Sequence, residues 1–242
     1  MKRRRLAVAG VGVLMVTFGT AACGGSSSAE PTQTQAPNGE DAKTADQIIA
    51  DARAAANSAS SVHLTGQVPQ TSTPITVDLH LSATHAATGT LEFNGAPADF
   101  VRVGSTVYVK GPLSFYAAVG APAAAIVQLA GRWIQAPATS PALSSFRSFF
   151  ALTDFHQLVS TVMTPSALPI AKAGTGTADG TSVVYLTDAT KDKLAVSLVG
   201  TPYPVAVIPP ADQQGQLTFS GWNAPVTVAA PAGAIDVAAL GG

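Results

Sequence analysis

Apolar and polar residues alternate along much of the chain with a period of two, which is typical of strands that bury one face. The clearest case is residues 75–82, where Ile75, Val77, Leu79 and Leu81 alternate with polar side chains. The same pattern, bounded by glycine- and proline-containing turns, predicts further strands at 62–68, 87–93, 99–103, 106–110, 170–177, 182–188, 193–199, 204–208, 215–221 and 225–229. Short strands joined by close turns favour an antiparallel meander over βαβ units.

Helical spacing occurs in two other places. Thr44 and Gln47 form a capping-box pattern. It precedes small and apolar residues that recur every three or four positions, namely Ala45, Ile48, Ile49, Ala52, Ala56 and Ala59. The range 112–165 is interrupted by prolines and predicts two or three short helices, one of them capped at Thr153, with a short extended piece around Trp133. The order helix, strands, helices, strands predicts one α+β domain whose curved antiparallel sheet is covered on one face by helices.

The first residues have the composition of a secretory signal. Four basic residues, 2–5, precede an uncharged stretch from Leu6 to Ala22, and small residues lead to Cys23. The run Thr20-Ala21-Ala22-Cys23 resembles a bacterial lipobox, in which the cysteine is acylated and becomes the first residue after cleavage, although Leu is usual where Thr20 stands. An ordinary signal peptide followed by a chance cysteine is the alternative.

The following segment, 24–42, is rich in Gly, Ser, Thr, Gln and Pro and has almost no large apolar residue. Such a composition cannot offset the entropy of ordering, so a flexible tether with a reach of about 25 Å is expected. We therefore predict a signal peptide at 1–22, a lipidated cysteine and tether at 23–42, and a single lipid-binding domain at 43–242.

Composition and charge exclude several classes of protein. The 242 residues are 47% hydrophobic and 11% charged, with 13 basic and 14 acidic residues, so no basic surface for nucleic acid is expected. Removal of the signal would leave nine basic and fourteen acidic residues, a net charge of −5. One cysteine excludes an intramolecular disulfide and a cysteine-rich metal site. Because no second apolar run reaches 18 residues, membrane attachment is expected to depend on acylated Cys23.

Motifs for catalysis are absent from the sequence. It contains neither the Gly-x-Ser-x-Gly elbow of hydrolases nor the phosphate-binding loop of nucleotide-hydrolysing proteins. Asp78 and His80 share one strand face and could provide two ligands for a metal ion, but no third ligand lies nearby in the sequence. His156 lies beside an apolar helical face and is interpreted as a rim residue. We predict no enzymatic activity, no metal site and no cofactor.

Two stretches resemble a known family of envelope proteins. The first runs from Ser61, Val62 and His63 through the alternating strands to Asp99, Phe100, Val101, Gly104, Val107 and Tyr108. The second is Leu217-Thr218-Phe219-Ser220-Gly221-Trp222, followed by Pro225, Val226, Thr227, Val228 and Pro231. Together with the lipobox and the leading helix, they resemble the actinobacterial LppX/LprAFG lipoproteins. The pattern differs after Trp222, where the family often has Gly and this chain has Asn223.

The resemblance implies a half-barrel sheet with helices on its concave face, around an apolar cavity for acyl chains. Proteins of this kind carry lipids or lipoglycans between envelope layers, which implies a location on the extracytoplasmic face of the cell membrane. The resemblance leaves open whether an envelope transporter is a partner of this protein. We expect the protein to be a monomer. On the sheet side, the residues predicted to line the cavity are Ile75, Val77, Leu79, Leu81, Leu91 and Phe93. On the helical side they are Phe146, Phe149, Phe150, Phe155, Leu158 and Val159.

Periodicity alone does not separate a cavity lining from a filled core. The alternative is therefore a membrane-anchored, non-catalytic interaction module whose interior is fully packed. A third hypothesis is a secreted hydrolase with an unrecognised serine site, which activity on ester substrates would support.

Overall fold

The computed structural model describes residues 36–68, 75–121, 123–140, 150 and 152–237. Their strands form one twelve-stranded sheet with the order β12-β6-β5-β4-β3-β2-β1-β11-β10-β9-β8-β7. The strands are β1 Ser61–Val68, β2 Ile75–Ser82, β3 Ala86–Phe93, β4 Ala96–Val103, β5 Thr106–Lys110, β6 Ile134–Pro137, β7 Ala171–Ala178, β8 Thr181–Thr187, β9 Lys193–Ser197, β10 Pro204–Ile208, β11 Gln216–Ser220 and β12 Ile235–Asp236.

The sheet consists of two antiparallel meanders joined side by side. Strands β1 to β6 follow one another in space, β7 to β11 do the same, and β1 pairs antiparallel with β11. Among the described strands, only β12 runs parallel to its neighbour, β6. Since β7 and β12 stand at opposite ends of the strand order, the sheet is open. The predicted α+β half-barrel with covering helices is confirmed.

The predicted strand at 225–229 is wrong, because those residues have no regular secondary structure. The preceding strand, β11, already has β1 on one side and β10 on the other, so the chain leaves the sheet with no free edge beside it. Pro225 also lacks the N–H group that a ladder would need.

The described helices are α1 Ala45–Ser58, α2 Leu113–Ala118, α3 Ala123–Leu129 and α4 Phe155–Val162, with a 3₁₀ turn at Glu40–Ala42. Helix α1 begins with the predicted capping box: the Thr44 hydroxyl accepts the Gln47 N–H, and the Gln47 side chain accepts the Thr44 N–H at 3.0 Å. The cap of α4 is Asp154 and not Thr153, since the Asp154 side chain accepts the N–H groups of His156 and Gln157.

The core lies between the inner face of the sheet and these helices. Ile48, Ala52 and Ala56 of α1 are fully buried and belong to the same cluster as Leu64 and Leu79 of the sheet. The buried face of α1 thus consists of two alanines and one isoleucine. Large aromatic side chains fill the neighbouring part of the same core, including Phe100, Phe115, Phe150 and Phe155.

Two glycines allow the strands to approach each other closely. At Gly66 of β1 and Gly89 of β3 the backbone has φ of +125° and +151°. A Cβ at Gly66 would lie 1.9 Å from the Gln216 carbonyl oxygen, and one at Gly89 would lie 1.9 Å from the Asp78 carbonyl oxygen. Any side chain at these positions would therefore push neighbouring strands apart.

Beyond β11 the chain turns back onto the start of β1. Trp222 stacks on Tyr203 with ring centroids 4.7 Å apart and donates its indole N–H to the Pro204 carbonyl. Asn223 adopts φ of +64°, which explains how it can replace the more usual glycine, because asparagine tolerates this region. Its side-chain oxygen accepts the Ser60 N–H at 2.8 Å.

Residues 36–38 are held against the end of β9. Pro37 forms an isolated antiparallel bridge with Val199, and the Asn38 N–H donates to the Leu198 carbonyl at 3.0 Å. Residues 36–38 therefore pack against the domain, although they belong to the segment 24–42 that was predicted to be a tether.

Candidate functional site

A pocket of about 380 Å³ opens between the second meander and the helices. The sheet contributes Leu186 of β8, Leu194 of β9, Val207 of β10 and Leu217 of β11, all on the inner face. These residues come from four neighbouring strands, so they form a continuous aliphatic floor.

The opposite wall comes from the helices and from the segment after α4. Ile49 of α1, with Leu158 and Val162 of α4, faces the floor, and Pro165 and Ile170 extend this wall. Volumes of about 300–1,000 Å³ are typical of small-molecule sites. The pocket therefore has the volume and the apolar walls of a site for one small apolar ligand.

Polar side chains lie at the rim of this pocket: Thr161, Thr164, Ser166, Thr187, Asp188, Asp192, Lys193, Gln213 and Gln216. They include both acidic and basic groups, so the rim can hydrogen-bond to a polar head of either charge. Apolar walls below a polar rim suit an amphipathic ligand, with its chain inside and its head at the rim.

Asp188 holds segment 165–170 at the edge of the pocket by hydrogen bonds. Its carboxylate accepts the N–H groups of Ser166 and Ala167 at 3.1 and 3.2 Å, and the Thr190 hydroxyl at 2.6 Å. Desolvation raises the pKa of this carboxyl, but the hydrogen bonds from Thr190, Ala167 and Ser166 outweigh it, so the pKa lies below its ordinary value. Asp188 is therefore ionised at neutral pH and acts as a fixed acceptor for this segment.

A second polar group lies at the start of α4. Asp154 is buried; it lies 3.1 Å from both the Arg102 guanidinium and Nδ1 of His85, and it caps the helix. Burial raises the pKa of the Asp154 carboxyl, while the Gln157 N–H, the His85 hydrogen bond and the Arg102 charge lower it more, so the net shift is downward. This cluster holds α4, and with it Leu158 and Val162, over the sheet.

The predicted cavity residues lie on the inner side of the fold, but most pack in the core outside the pocket walls. Val77, Leu79, Leu81 and Leu91 are buried, and Ile75 and Phe93 are half-buried against the same cluster. Of the helical set, Phe150, Phe155 and Val159 are buried in that core, and Leu158 lines the pocket. Phe146 and Phe149 lie outside the described residues.

The strands of the pocket floor are predicted correctly, but the floor residues themselves are not. Beside Leu194 and Val207, Ala195 and Ala206 are fully buried, so alternation with polar residues does not mark the inward face there. The pattern does not show whether other side chains fill the space above an inward-facing residue. Over the first meander, Phe100 of β4 contacts Phe150, and α2, which carries Phe115, packs on β3 and β4. The floor of the pocket is aliphatic instead.

The fold is thus that of an open antiparallel half-barrel with helices on its inner face and an apolar pocket between them. No family model matches the sequence, and no curated protein matches it. Similar solved structures do exist. One is LprF from Mycobacterium bovis, with 19% identity over 81% of this chain and 99% of that chain, and a TM-score of 0.54.

A more distant likeness is to the complex of MucA and MucB from Pseudomonas aeruginosa. It has 16% identity over 78% of this chain and 59% of that chain, with a TM-score of 0.34. A DUF1329 family protein from Desulfovibrio piger has a TM-score of 0.24, with 10% identity over 76% of this chain and 95% of that chain. The likeness to LprF shows a shared fold, and it agrees with the fold that the sequence resemblance implies.

In the part of the chain that the structure describes, no helix combines the length and the apolar character needed to cross a membrane.

Proposed function

We propose that this protein is a non-catalytic cell-envelope lipoprotein that binds an acyl-chain lipid in the pocket between the second meander and α4. It would carry that lipid between envelope layers. The observation that carries the proposal is the pocket itself, with aliphatic walls from five strands and two helices below a polar rim.

The dimensions favour a ligand that inserts one hydrocarbon chain. A filled core would leave no room for such a chain, whereas about 380 Å³ beside Leu194 and Val207 remains open. Each buried CH₂ group contributes about 0.8 kcal/mol, so a long chain would supply enough free energy for stable binding without a specific head-group contact. The polar head would remain at the rim near Lys193 and Gln216.

The proposed location rests on the N-terminal sequence and on the position of the domain start. Acylated Cys23 would anchor the chain, and the residues between Cys23 and Pro37 would let the domain reach away from the bilayer. Acyl labelling in a bacterial host tests the anchor. The wild type should incorporate labelled palmitate and Cys23→Ala should not, whereas labelling of the variant would contradict the anchor.

Filling the pocket tests the binding function. Val207 is half-buried and points into the pocket, so Val207→Trp should lower the affinity for a fluorescent fatty-acid probe at least tenfold. Thr90→Trp is the matched control: it adds the same indole at an exposed position on the outer face of β3 and should leave the affinity unchanged. Equal affinity of Val207→Trp and wild type would contradict binding in this pocket.

A further inference from the structure

The outer face of the sheet carries a group of possible metal ligands on β1 and β2. The register of these strands places His63 directly opposite His80, while Asp78 lies two residues away from His80 on the same face. The inner partners beside them are Val62 with Leu81 and Leu64 with Leu79, so the histidines and Asp78 point away from the core. Sequence spacing conceals this group because His63 lies on another strand.

The three side chains are already close together. Nε2 of His63 lies 2.8 Å from Oδ1 of Asp78, and the rings of His63 and His80 stack with centroids 4.1 Å apart at an interplanar angle of 5°. One ligand atom from each residue lies within 4.8 Å of the other two. Tetrahedral bonds of about 2.0–2.1 Å place ligand atoms about 3.3–3.5 Å apart, so the ligand atoms are already near the required spacing. Because the two rings are nearly parallel, one imidazole must turn before both nitrogens point at the same ion.

The neighbouring strand β11 supports the ring of His63. Ser220 pairs directly with His63, and its hydroxyl lies 3.4 Å from Nδ1. With a metal on Nε2, Nδ1 carries the proton and donates to that hydroxyl, which is the usual way in which a second contact orients a ligating histidine. His63 is also the least exposed of the three, its side chain being 27% exposed against 59% for Asp78.

Two imidazole nitrogens and one carboxylate oxygen suit a particular class of ion. Imidazole favours Zn²⁺, Cu²⁺ and Ni²⁺, whereas Mg²⁺ and Ca²⁺ prefer a set of oxygens. We propose that His63, Asp78 and His80 bind one divalent transition-metal ion of the Zn²⁺ class on the outer face of the sheet. Three protein ligands leave a fourth position for water. The ion would also link β1 to β2, which adjoin the junction of the two meanders.

Titration of Zn²⁺ into the full-length chain in detergent tests this site. A Cys23→Ser background removes the one thiol of the sequence, which would otherwise compete for the ion. Calorimetry should show one saturable site per chain. Both His80→Ala and Asp78→Asn, which change exposed side chains, should weaken the affinity at least tenfold.

His156→Ala is the matched control, because it removes an exposed histidine that does not belong to this group. It should leave the affinity unchanged. Zn²⁺ should also raise the unfolding temperature of the parent chain and of His156→Ala but not that of His80→Ala, since an ion that binds only the folded state stabilises it. Without Zn²⁺ the variants should unfold at the same temperature as the parent. Absence of a saturable site, or equal affinity in His80→Ala and the parent chain, would overturn the proposal.

Discussion

The guanidinium of Arg102 lies 3.1 Å from the carboxylate of Asp154, and this ion pair joins the inner face of β4 to the first turn of α4. Both side chains are largely buried, with exposed fractions of 12% and 9%. Asp154 also caps the helix, so a single carboxylate both begins α4 and holds it over the sheet. Because α4 is held in this position, its residues Leu158 and Val162 form part of the pocket wall.

Replacement of Asp154 should separate these two roles. Asp154→Ala removes the cap and the ion-pair partner of Arg102, and we expect a loss of about 2–3 kcal/mol in the free energy of unfolding. Asp154→Asn keeps a good cap but removes the charge, so its loss should be smaller, about 1–2 kcal/mol. Urea denaturation measures both. Equal stability of Asp154→Ala and wild type would contradict the structural role.

The ion pair also predicts how the free energy of unfolding depends on pH. The Asp154 pKa is lower in the folded state than its ordinary value of 3.8, so the folded chain binds a proton less readily than the unfolded chain. Its contribution is therefore complete above the unfolded pKa and is lost as pH falls through the lower, folded pKa.

The urea midpoint should accordingly fall as pH is lowered from about 6 to about 2.5, and it should fall less in Asp154→Asn. Other carboxylates, Asp188 among them, contribute to the fall in both proteins, so the difference between the two curves isolates Asp154. Parallel curves would show that the Asp154 carboxyl has no lowered pKa.

Gly89 should not accept a side chain. In Gly89→Ala the new Cβ would meet the Asp78 carbonyl oxygen, which is backbone and cannot rotate away. We expect a destabilisation of about 3 kcal/mol or more, because strand separation is added to backbone strain. Gly174→Ala is the control, since its φ is +98° and nothing lies within 4 Å of the added Cβ. Its cost should be about 1–2 kcal/mol from strain alone. Thermal unfolding of the two variants compares these costs, and similar losses would exclude the steric contribution.

Much of the fold is predictable because its signals are local. The capping box at Thr44 and Gln47 begins α1 as expected, and the period-two pattern finds β2 at residues 75–82. The predicted strand at 225–229 fails because alternation does not show whether a neighbouring edge is free. The predicted cap at Thr153 is off by one residue because the competing Asp154 accepts two N–H groups.

The candidate sites are less predictable because they depend on contacts between distant segments. Leu79 and Leu194 both face the inner side of the sheet, yet one is packed in the core and the other lines the pocket. The difference comes from the aromatic side chains that fill one meander, and no pattern within a single strand records it. His63 joins Asp78 and His80 through strand register, which follows from the whole sheet.

Native mass spectrometry of the chain lacking residues 1–23, purified from an actinobacterial host and followed by lipid extraction, tests lipid binding most directly. We predict one bound lipid per chain, with the lipid lost in Val207→Trp and retained in Thr90→Trp. A lipid-free mass from actinobacterial and other hosts alike, with no uptake of added lipid, would contradict the proposal. It would indicate instead an interaction module that does not use its pocket for lipid.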